Sequence, residues 1–347
     1  MTPNLQQTML ESIEKELQRQ VARLDQPRTK LFHEMLTYHM GWTGDGAGLL
    51  ATGKRIRPLL TLLTCVLSFD GNRNGEYDNS SNWLHAVSAA AAIELIHNFS
   101  LVHDDIQDNS GLRRGRRTVW VKWGAPMAIN VGDALFVIAN QAILDLAEYY
   151  PAEIVVKAAG ILNENCLDLT RGQFLDMSYE ERKDLSLIDY WPMIGGKTSA
   201  LLSACTHIGA LLGYANDARL EAYRLFGYHL GLAFQVQDDI LGIWGDESVT
   251  GKSAASDLVE GKNSLPVLFA LEKNGGFAER WRQGPIEVNE IIKVSALLED
   301  EGAREYAEKT AEAQTQKALE YLKQADPHGE AGEAMLGLAN MLLKRKQ

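Results

Sequence analysis

Asp104 and Asp108 lie four residues apart in the segment ELIHNFSLVHDDIQDNSGLRRG, residues 94–115. On a helix that spacing stacks the two carboxylates on one face. Like charges stacked this way destabilise a bare helix, and no lysine lies within a turn to relieve them. Hard oxygen donors at that spacing suit Mg²⁺, which takes a few carboxylates and completes its shell with water and phosphate oxygens. Ser100 and His97 fall on the same face one and two turns earlier. Asp105, about 100° round the helix, reads as a support for the site. Standing alone, the acidic motif is equally a solvated face. The cations behind it change the balance: Arg113, Arg114, Arg116, Arg117 and Lys122 are five in ten residues of a chain whose net charge is −12. Metal-binding acids followed by guanidinium groups suit a diphosphate, which presents several anionic oxygens in fixed geometry. An exposed basic loop is the plain alternative.

The theme returns 134 residues later in GLAFQVQDDILGIWGD, residues 231–246. Gln235, Asp238 and Asp239 cluster at helical spacing among apolar residues, where adjacent acids are costly unless paired or metal-bound. The following ESVTGKSAASDLVEGKNSLP supplies Lys252 and Lys262 and ends in Pro266, placed to open a helix. GGKTSALL offers Lys197 and Thr198, and GKRIRP offers Lys54, Arg55 and Arg57. Each reads singly as a surface cation. Together they make two acidic motifs with separate basic groups, enough for two diphosphates.

Helices must carry these residues. Apolar residues recur at three- and four-residue spacing, and prolines number nine. The periodicity predicts helices near 4–24, 57–69, 83–108, 125–147, 151–176, 187–212, 217–243, 264–273, 287–297, 301–324 and 329–345, with no alternating pattern for a sheet. Polar, glycine-bearing loops separate them. No repeat or linker marks a boundary, so residues 1–347 read as one all-α domain. Hydrophobic residues are 46% and charged residues 23%, ordinary for a globular chain. The negative balance excludes general attraction to nucleic acid or an anionic membrane. Cys65, Cys166 and Cys205 are far apart with no CxxC spacing and read as buried, reduced thiols. The polar, acid-bearing N-terminus resembles neither a secretory signal nor a transit peptide. No apolar run is read as reaching the roughly 20 residues of a membrane span. A cytoplasmic protein is expected.

GKRIRP, SLVHDDIQD with LRRG, GKTSALL, FQVQDDI and GKSAASDLVEGKNSLP, in this order across roughly residues 50–270, resemble the trans-isoprenyl diphosphate synthase (polyprenyl synthetase) family. The resemblance implies an isoprenoid-synthase fold, an all-α barrel of about ten core helices around a central cavity, usually homodimeric. It implies head-to-tail condensation: an allylic diphosphate ionises, the isopentenyl diphosphate double bond attacks the cation, and a proton is lost to the departing pyrophosphate. By motif match, Asp104 and Asp108 would hold two Mg²⁺ and Asp238 a third. Arg113, Lys197, Lys252 and Lys262 would bind the allylic diphosphate. Lys54, Arg57, His97 and Arg114 would bind isopentenyl diphosphate, while Thr198 and Gln235 would face the carbocation. Phe99 and Ser100 before the first motif resemble the C20-forming type.

Two departures stand out. The second motif ends in Gly242 where the family has Asp; Asp246 lies four further on. Arg116–Arg117 stands where the family commonly has a proline before Thr118, which bears on loop geometry. A class I terpene cyclase also ionises a diphosphate, but leaves Lys54, Arg57 and Arg114 unexplained. A silent subunit of a heteromeric synthase has only Gly242 in its favour. If Asp238 alone works in the second motif, Gly242→Asp changes activity a few fold. Replacing Asp104 by Ala removes a metal ligand and should lower the rate on the order of 10³-fold or more. Steady-state turnover at saturating magnesium checks this; near-normal turnover rejects the assignment.

Overall fold

The computed structural model describes residues 4–69, 82–180, 182, 184–245 and 255–343. Helices dominate: α1 (Leu5–Val21), α2 (Lys30–His39), α3 (Leu49–Thr52), α4 (Ile56–Ser68), α5 (Val87–Gln107), α6 (Val119–Trp123), α7 (Ala125–Leu144), α8 (Ala152–Tyr179) and α9 (Leu187–Ile194). They continue as α10 (Ala200–Leu212), α11 (Asp217–Trp244), α12 (Ser256–Val259), α13 (Leu265–Lys273), α14 (Gly276–Trp281), α15 (Ile291–Asp300), α16 (Ala303–Gln324) and α17 (Gly329–Leu343). The all-α expectation holds. One addition is a two-stranded antiparallel hairpin, β1 (Leu112–Arg113) with β2 (Arg116–Arg117).

Three expectations shift. Helix α2 was not anticipated, because its apolar stripe is short and no capping side chain announces it. The span 187–212 is not one helix: a π turn at Gly195–Ser199 separates α9 from α10. Pro192 and the Gly195–Gly196 pair weaken the α repeat there, and π turns admit one extra residue per turn. Two segments, Trp83–Gln107 and Ala125–Glu148, are in fact long and apolar enough to cross a membrane by length and composition, with windows 67% and 44% buried. For the first, that burial is explained by protein, as is usual for a helix apolar all round.

The chain forms two compact units. The first comprises residues 1–163, 204–220 and 327–335. Its centre is α5, buried from Ala89 through Ile96 and packed on α7, α4 and α1. Helix α1 presents Met9, Ile13, Leu17 and Val21, a four-residue stripe, to this core, and Asn4 caps it by accepting Gln7 N–H at 2.9 Å. The second unit comprises residues 164–203, 221–326 and 336–347. There α13 packs on α9, α14 and α16, around Tyr190, Val236, Leu265 and Leu268. Cys65, Cys166 and Cys205 are buried and unbridged. Burial pushes their thiols up to about 12, 11 and 12, so little thiolate forms at neutral pH.

One charged cluster lies inside the first unit. Arg55 occupies the left-handed region (φ 48°) at the start of α4. Its Nη1 donates to Glu94 Oε1 at 2.9 Å and its Nε to Glu14 Oε2 at 3.0 Å, with both Arg55 and Glu94 side chains 4% exposed. Asn98 Nδ2 donates to the same Glu94 oxygen at 3.1 Å, and the Trp42 indole donates to Glu14. The cluster ties α1, α4 and α5 together. Removing one partner strands a buried charge, so Glu94→Ala should destabilise the protein by about 3–5 kcal/mol. Urea unfolding of the variant against the parent measures this.

Candidate active site

In the first unit, Asp104 lies in the last turn of α5 and Asp108 caps its C-terminus, donating its N–H to the Asp104 carbonyl at 2.8 Å. The i, i+4 relation read from the sequence is therefore kept. Asp105 is buried (2%) and accepts Arg113 Nε at 2.7 Å. It holds the arginine, as expected of a support. Burial raises the Asp105 carboxyl, and the Arg113 guanidinium opposes that rise.

The hairpin sets the arginines. Arg114 and Gly115, the two residues between the paired Arg113 and Arg116, have φ of 52° and 73°. Two positive φ values in a two-residue loop define a type I′ turn, whose twist matches the strands and which favours glycine. Arg116 is a staple: its guanidinium donates to the carbonyls of Tyr38 (2.7 Å), Thr43 (2.6 Å) and Asp45 (2.9 Å) and sits 4.0 Å over the Tyr38 ring. The unusual Arg116–Arg117 pair thus serves loop geometry. Arg114 donates to the Ala51 carbonyl at 2.8 Å beside the loop that carries Lys54, which is exposed.

Arg57 Nη1 and His97 Nε2 lie 3.3 Å apart. Burial, then Arg57, Arg114, Arg113 and Arg55, hold the His97 ring well below the usual histidine range. His97 is neutral at working pH, and because arginine only donates, Nε2 is its acceptor nitrogen. Arg57 Nε is buried and meets no acceptor among the described residues. Of the four guanidinium groups that act on His97, Arg55 is paired with Glu94 and Glu14 and Arg113 with Asp105, while Arg57 and Arg114 form no ion pair among the described residues. Phe99 meets Phe136 of α7 at a tilt (centroids 5.4 Å) and His103 edge to face (5.1 Å), while Ser100 is buried and donates to the His97 carbonyl at 2.9 Å. Phe136 carries no signal in the sequence as a neighbour of Phe99.

In the second unit, the π turn carries Lys197 and Thr198. Lys197 forms an ion pair with Asp176 of α8, an acid 21 residues away that the motifs did not single out. Thr198 Oγ1 donates to Gln235 Oε1 at 2.7 Å, and Gln235 Nε2 donates to Asp239 Oδ1 at 3.0 Å. Asp239 Oδ2 accepts the Tyr190 hydroxyl at 2.7 Å and the Leu265 N–H at 2.9 Å. Burial, with the Asp257 charge, pushes the Asp239 carboxyl up to about 7 against these donors. Burial and the Asp239 charge raise the Tyr190 phenol far above its usual range, so it stays a donor. Asp238 is half-buried on the neighbouring face of α11. Lys262 Nζ pairs with Glu260 at 2.7 Å and lies 3.7 Å from Asp257. Burial draws its pKa down, but Asp257 and Glu260 outweigh that and hold it protonated above the usual lysine range. Lys252 and Asp246 lie outside the described residues.

Gly242 is explained by its neighbour. A Cβ there would fall on the carboxylate of Asp257, which comes from α12 and is itself buried. The glycine makes room for an acid that sequence reading passed over.

Asp104 and Asp108 fit a hard divalent cation by donor type and by helical spacing. Among the described residues no three His, Cys, Asp or Glu side chains group tightly enough to cage an ion by themselves. The donor set fits a metal that shares its shell with substrate oxygens.

All-α architecture and two acidic motifs with basic groups beside them are the features of a trans-prenyl diphosphate synthase. The chain belongs to the polyprenyl synthetase family, whose sequence profile matches residues 47–295. It is 35% identical over 319 residues to the geranylgeranyl diphosphate synthase of Mycobacterium tuberculosis, covering 90% of this chain and 86% of that one. It is 37% identical over 304 residues to a short chain isoprenyl diphosphate synthase of Methanothermobacter thermautotrophicus, covering 86% and 88%. The crystal structure of a polyprenyl synthetase from Streptomyces coelicolor A3(2) matches with a TM-score of 0.82 and 35% identity, covering 97% and 98%. A Caulobacter crescentus polyprenyl synthase, complexed with calcium and isoprenyl diphosphate, matches with a TM-score of 0.78 and 28% identity, covering 97% and 96%. These likenesses establish the isoprenoid-synthase fold and prenyltransferase class, in a family that uses a divalent metal.

The contact at Gly242 changes the mild effect expected from sequence for Gly242→Asp. Overpacking against Asp257 should destabilise the protein by about 1–3 kcal/mol, with an added like-charge penalty. Gly242→Asp combined with Asp257→Ala should recover most of that loss. Thermal unfolding of the single and double variants without substrate tests it; equal stability of parent and Gly242→Asp rejects the contact.

Proposed function

We propose that the chain condenses isopentenyl diphosphate head to tail with dimethylallyl, geranyl or farnesyl diphosphate, ending chiefly at a C20 all-trans prenyl diphosphate. The observation that carries the reading is Arg57, its Nε without an acceptor among the described residues, beside neutral His97 and in the same unit as the i, i+4 pair Asp104 and Asp108. A cyclase acting on one diphosphate has no use for Lys54, Arg57 and Arg114 as a second basic set.

In this reading Arg113, Lys197, Lys252 and Lys262 hold the allylic diphosphate, and Lys54, Arg57, His97 and Arg114 hold isopentenyl diphosphate. Asp104 and Asp108 would hold two Mg²⁺ and Asp238 a third, and the ions neutralise charge on the departing pyrophosphate. The allylic C–O bond breaks, the isopentenyl double bond forms the new C–C bond, and the proton then lost goes to pyrophosphate. Thr198 and Gln235 contribute oriented dipoles where positive charge develops. Lys197 must exchange Asp176 for phosphate oxygens, and Lys262 likewise Glu260.

Exposed Ile129, Val137 and Leu144, at spacings of eight and seven on α7, support a homodimer through that helix. The three reduced, buried cysteines support a cytoplasmic setting. For product length, Phe99 and Ser100 on α5 would meet the growing chain beneath Asp104. Each added unit buries apolar surface at about 25 cal/mol per Å², so growth continues until side chains block it.

Incubation of the protein and magnesium with labelled isopentenyl diphosphate and each allylic primer, followed by chromatography of dephosphorylated products, tests the reading. Chain elongation is expected; a cyclic hydrocarbon, or no elongation with any primer, rejects it. Ser100→Phe should shorten the main product from C20 towards C15, and Phe99→Ala, which leaves Phe136 unpartnered, should lengthen it. Unchanged length in both variants places the floor elsewhere.

A further inference from the structure

The hydrogen bonds between Tyr190 and Thr198 converge on Asp239: the phenol donates from one side, and Thr198 donates through Gln235 from the other. Asp239 is buried and already receives the Leu265 N–H and the Tyr190 hydroxyl at Oδ2. The Gln235 side chain turns its NH₂ to Oδ1 at 3.0 Å, the pairing that an ionised carboxylate takes. That fixes Gln235 Oε1 on the opposite side, where the Thr198 hydroxyl donates to it at 2.7 Å. With its hydrogen committed, the hydroxyl of Thr198 has lone pairs left to offer. A buried acceptor at one end therefore sets the polarity at the other. The four side chains come from α9, the π turn and α11, and all lie in the second unit.

We propose that Tyr190 is a positioning residue for the prenyl-transfer step: through Asp239 and Gln235 it holds the Thr198 oxygen with its lone pairs outward, towards positive charge developing on substrate. This rests on the reading of Thr198 and Gln235 given above and adds what determines their orientation. Without the phenol, Asp239 Oδ2 keeps only the Leu265 N–H, and the buried carboxylate and the Gln235 amide held against it lose their fixed position, so the Thr198 oxygen is no longer aimed. A misaligned dipole acts on the transition state and not on diphosphate binding, which gives the effect a kinetic signature.

Tyr190→Phe, which keeps the buried ring, is the test. In condensation assays kcat should fall about tenfold while KM for both diphosphates stays within about twofold. Thr198→Val should be costly in the parent, yet the Tyr190→Phe/Thr198→Val double variant should fall no more than about twofold below Thr198→Val alone, because both remove the same effect. Additive losses, or a change confined to KM, overturn the proposal. A second measurement does not need turnover. In protein labelled with ¹⁵N-glutamine, the Gln235 side-chain amide, assigned by its loss in Gln235→Glu, should be protected from exchange in the parent and lose that protection in Tyr190→Phe. An unmoved, still protected amide overturns the relay, whereas a parent that elongates no primer while the amide responds as expected refutes the assigned reaction and leaves the relay standing.

Discussion

The first unit depends on one buried ion pair. Arg55 and Glu94 each sit where a lone charge is prohibitively costly, and together with Glu14 they fix how α1, α4 and α5 approach. Arg55 is in the left-handed region at the N-cap of α4, so its anchoring also sets the backbone on either side. Lys54 immediately before it and Arg57 two residues after it are the residues proposed above to bind isopentenyl diphosphate. Glu94 lies three residues, just under one turn, before His97 on α5, the helix that ends at Asp104 and Asp108. Positive and negative halves of the chemistry are thereby referred to a common internal tie.

The second unit solves a related problem with hydrogen bonds instead of a salt bridge. Among the described residues Asp239 forms no ion pair; backbone, phenol and amide donors share its charge. Adjacent Asp238 is half-buried. Two neighbouring acids on one helix thus differ in burial, and the buried one is locked by donors. The same economy appears in the first motif, where Asp105 is taken up by Arg113 while Asp104 and Asp108 share the other face.

Much of this was legible in the sequence because helical periodicity converts spacing into facing. The i, i+4 acids, the supporting role of Asp105, the long helices and the buried cysteines all follow from local pattern. What was not legible depends on partners distant along the chain. Asp176 reaches Lys197 across 21 residues, and Phe136 reaches Phe99 from another helix. Gly242 looked like a lost ligand because its occupant, Asp257, arrives from a different element. The RRGR hairpin was legible in principle, since a residue followed by glycine between short flanks suits a type I′ turn, but two-residue strands are too short to show alternation. The break in 187–212 was masked by an apolar pattern that runs through it.

That break has a consequence for how the segment tolerates change in length. A π turn holds one residue more than the α repeat, so Gly195–Ser199 acts as a dislocation in an otherwise regular lattice. Excising a single residue there would close the bulge into a plain α turn and leave α9 and α10 near their present register, whereas a deletion inside either helix would turn every side chain beyond it by about 100°. The surplus residue therefore lets this stretch absorb a one-residue loss that the flanking helices cannot.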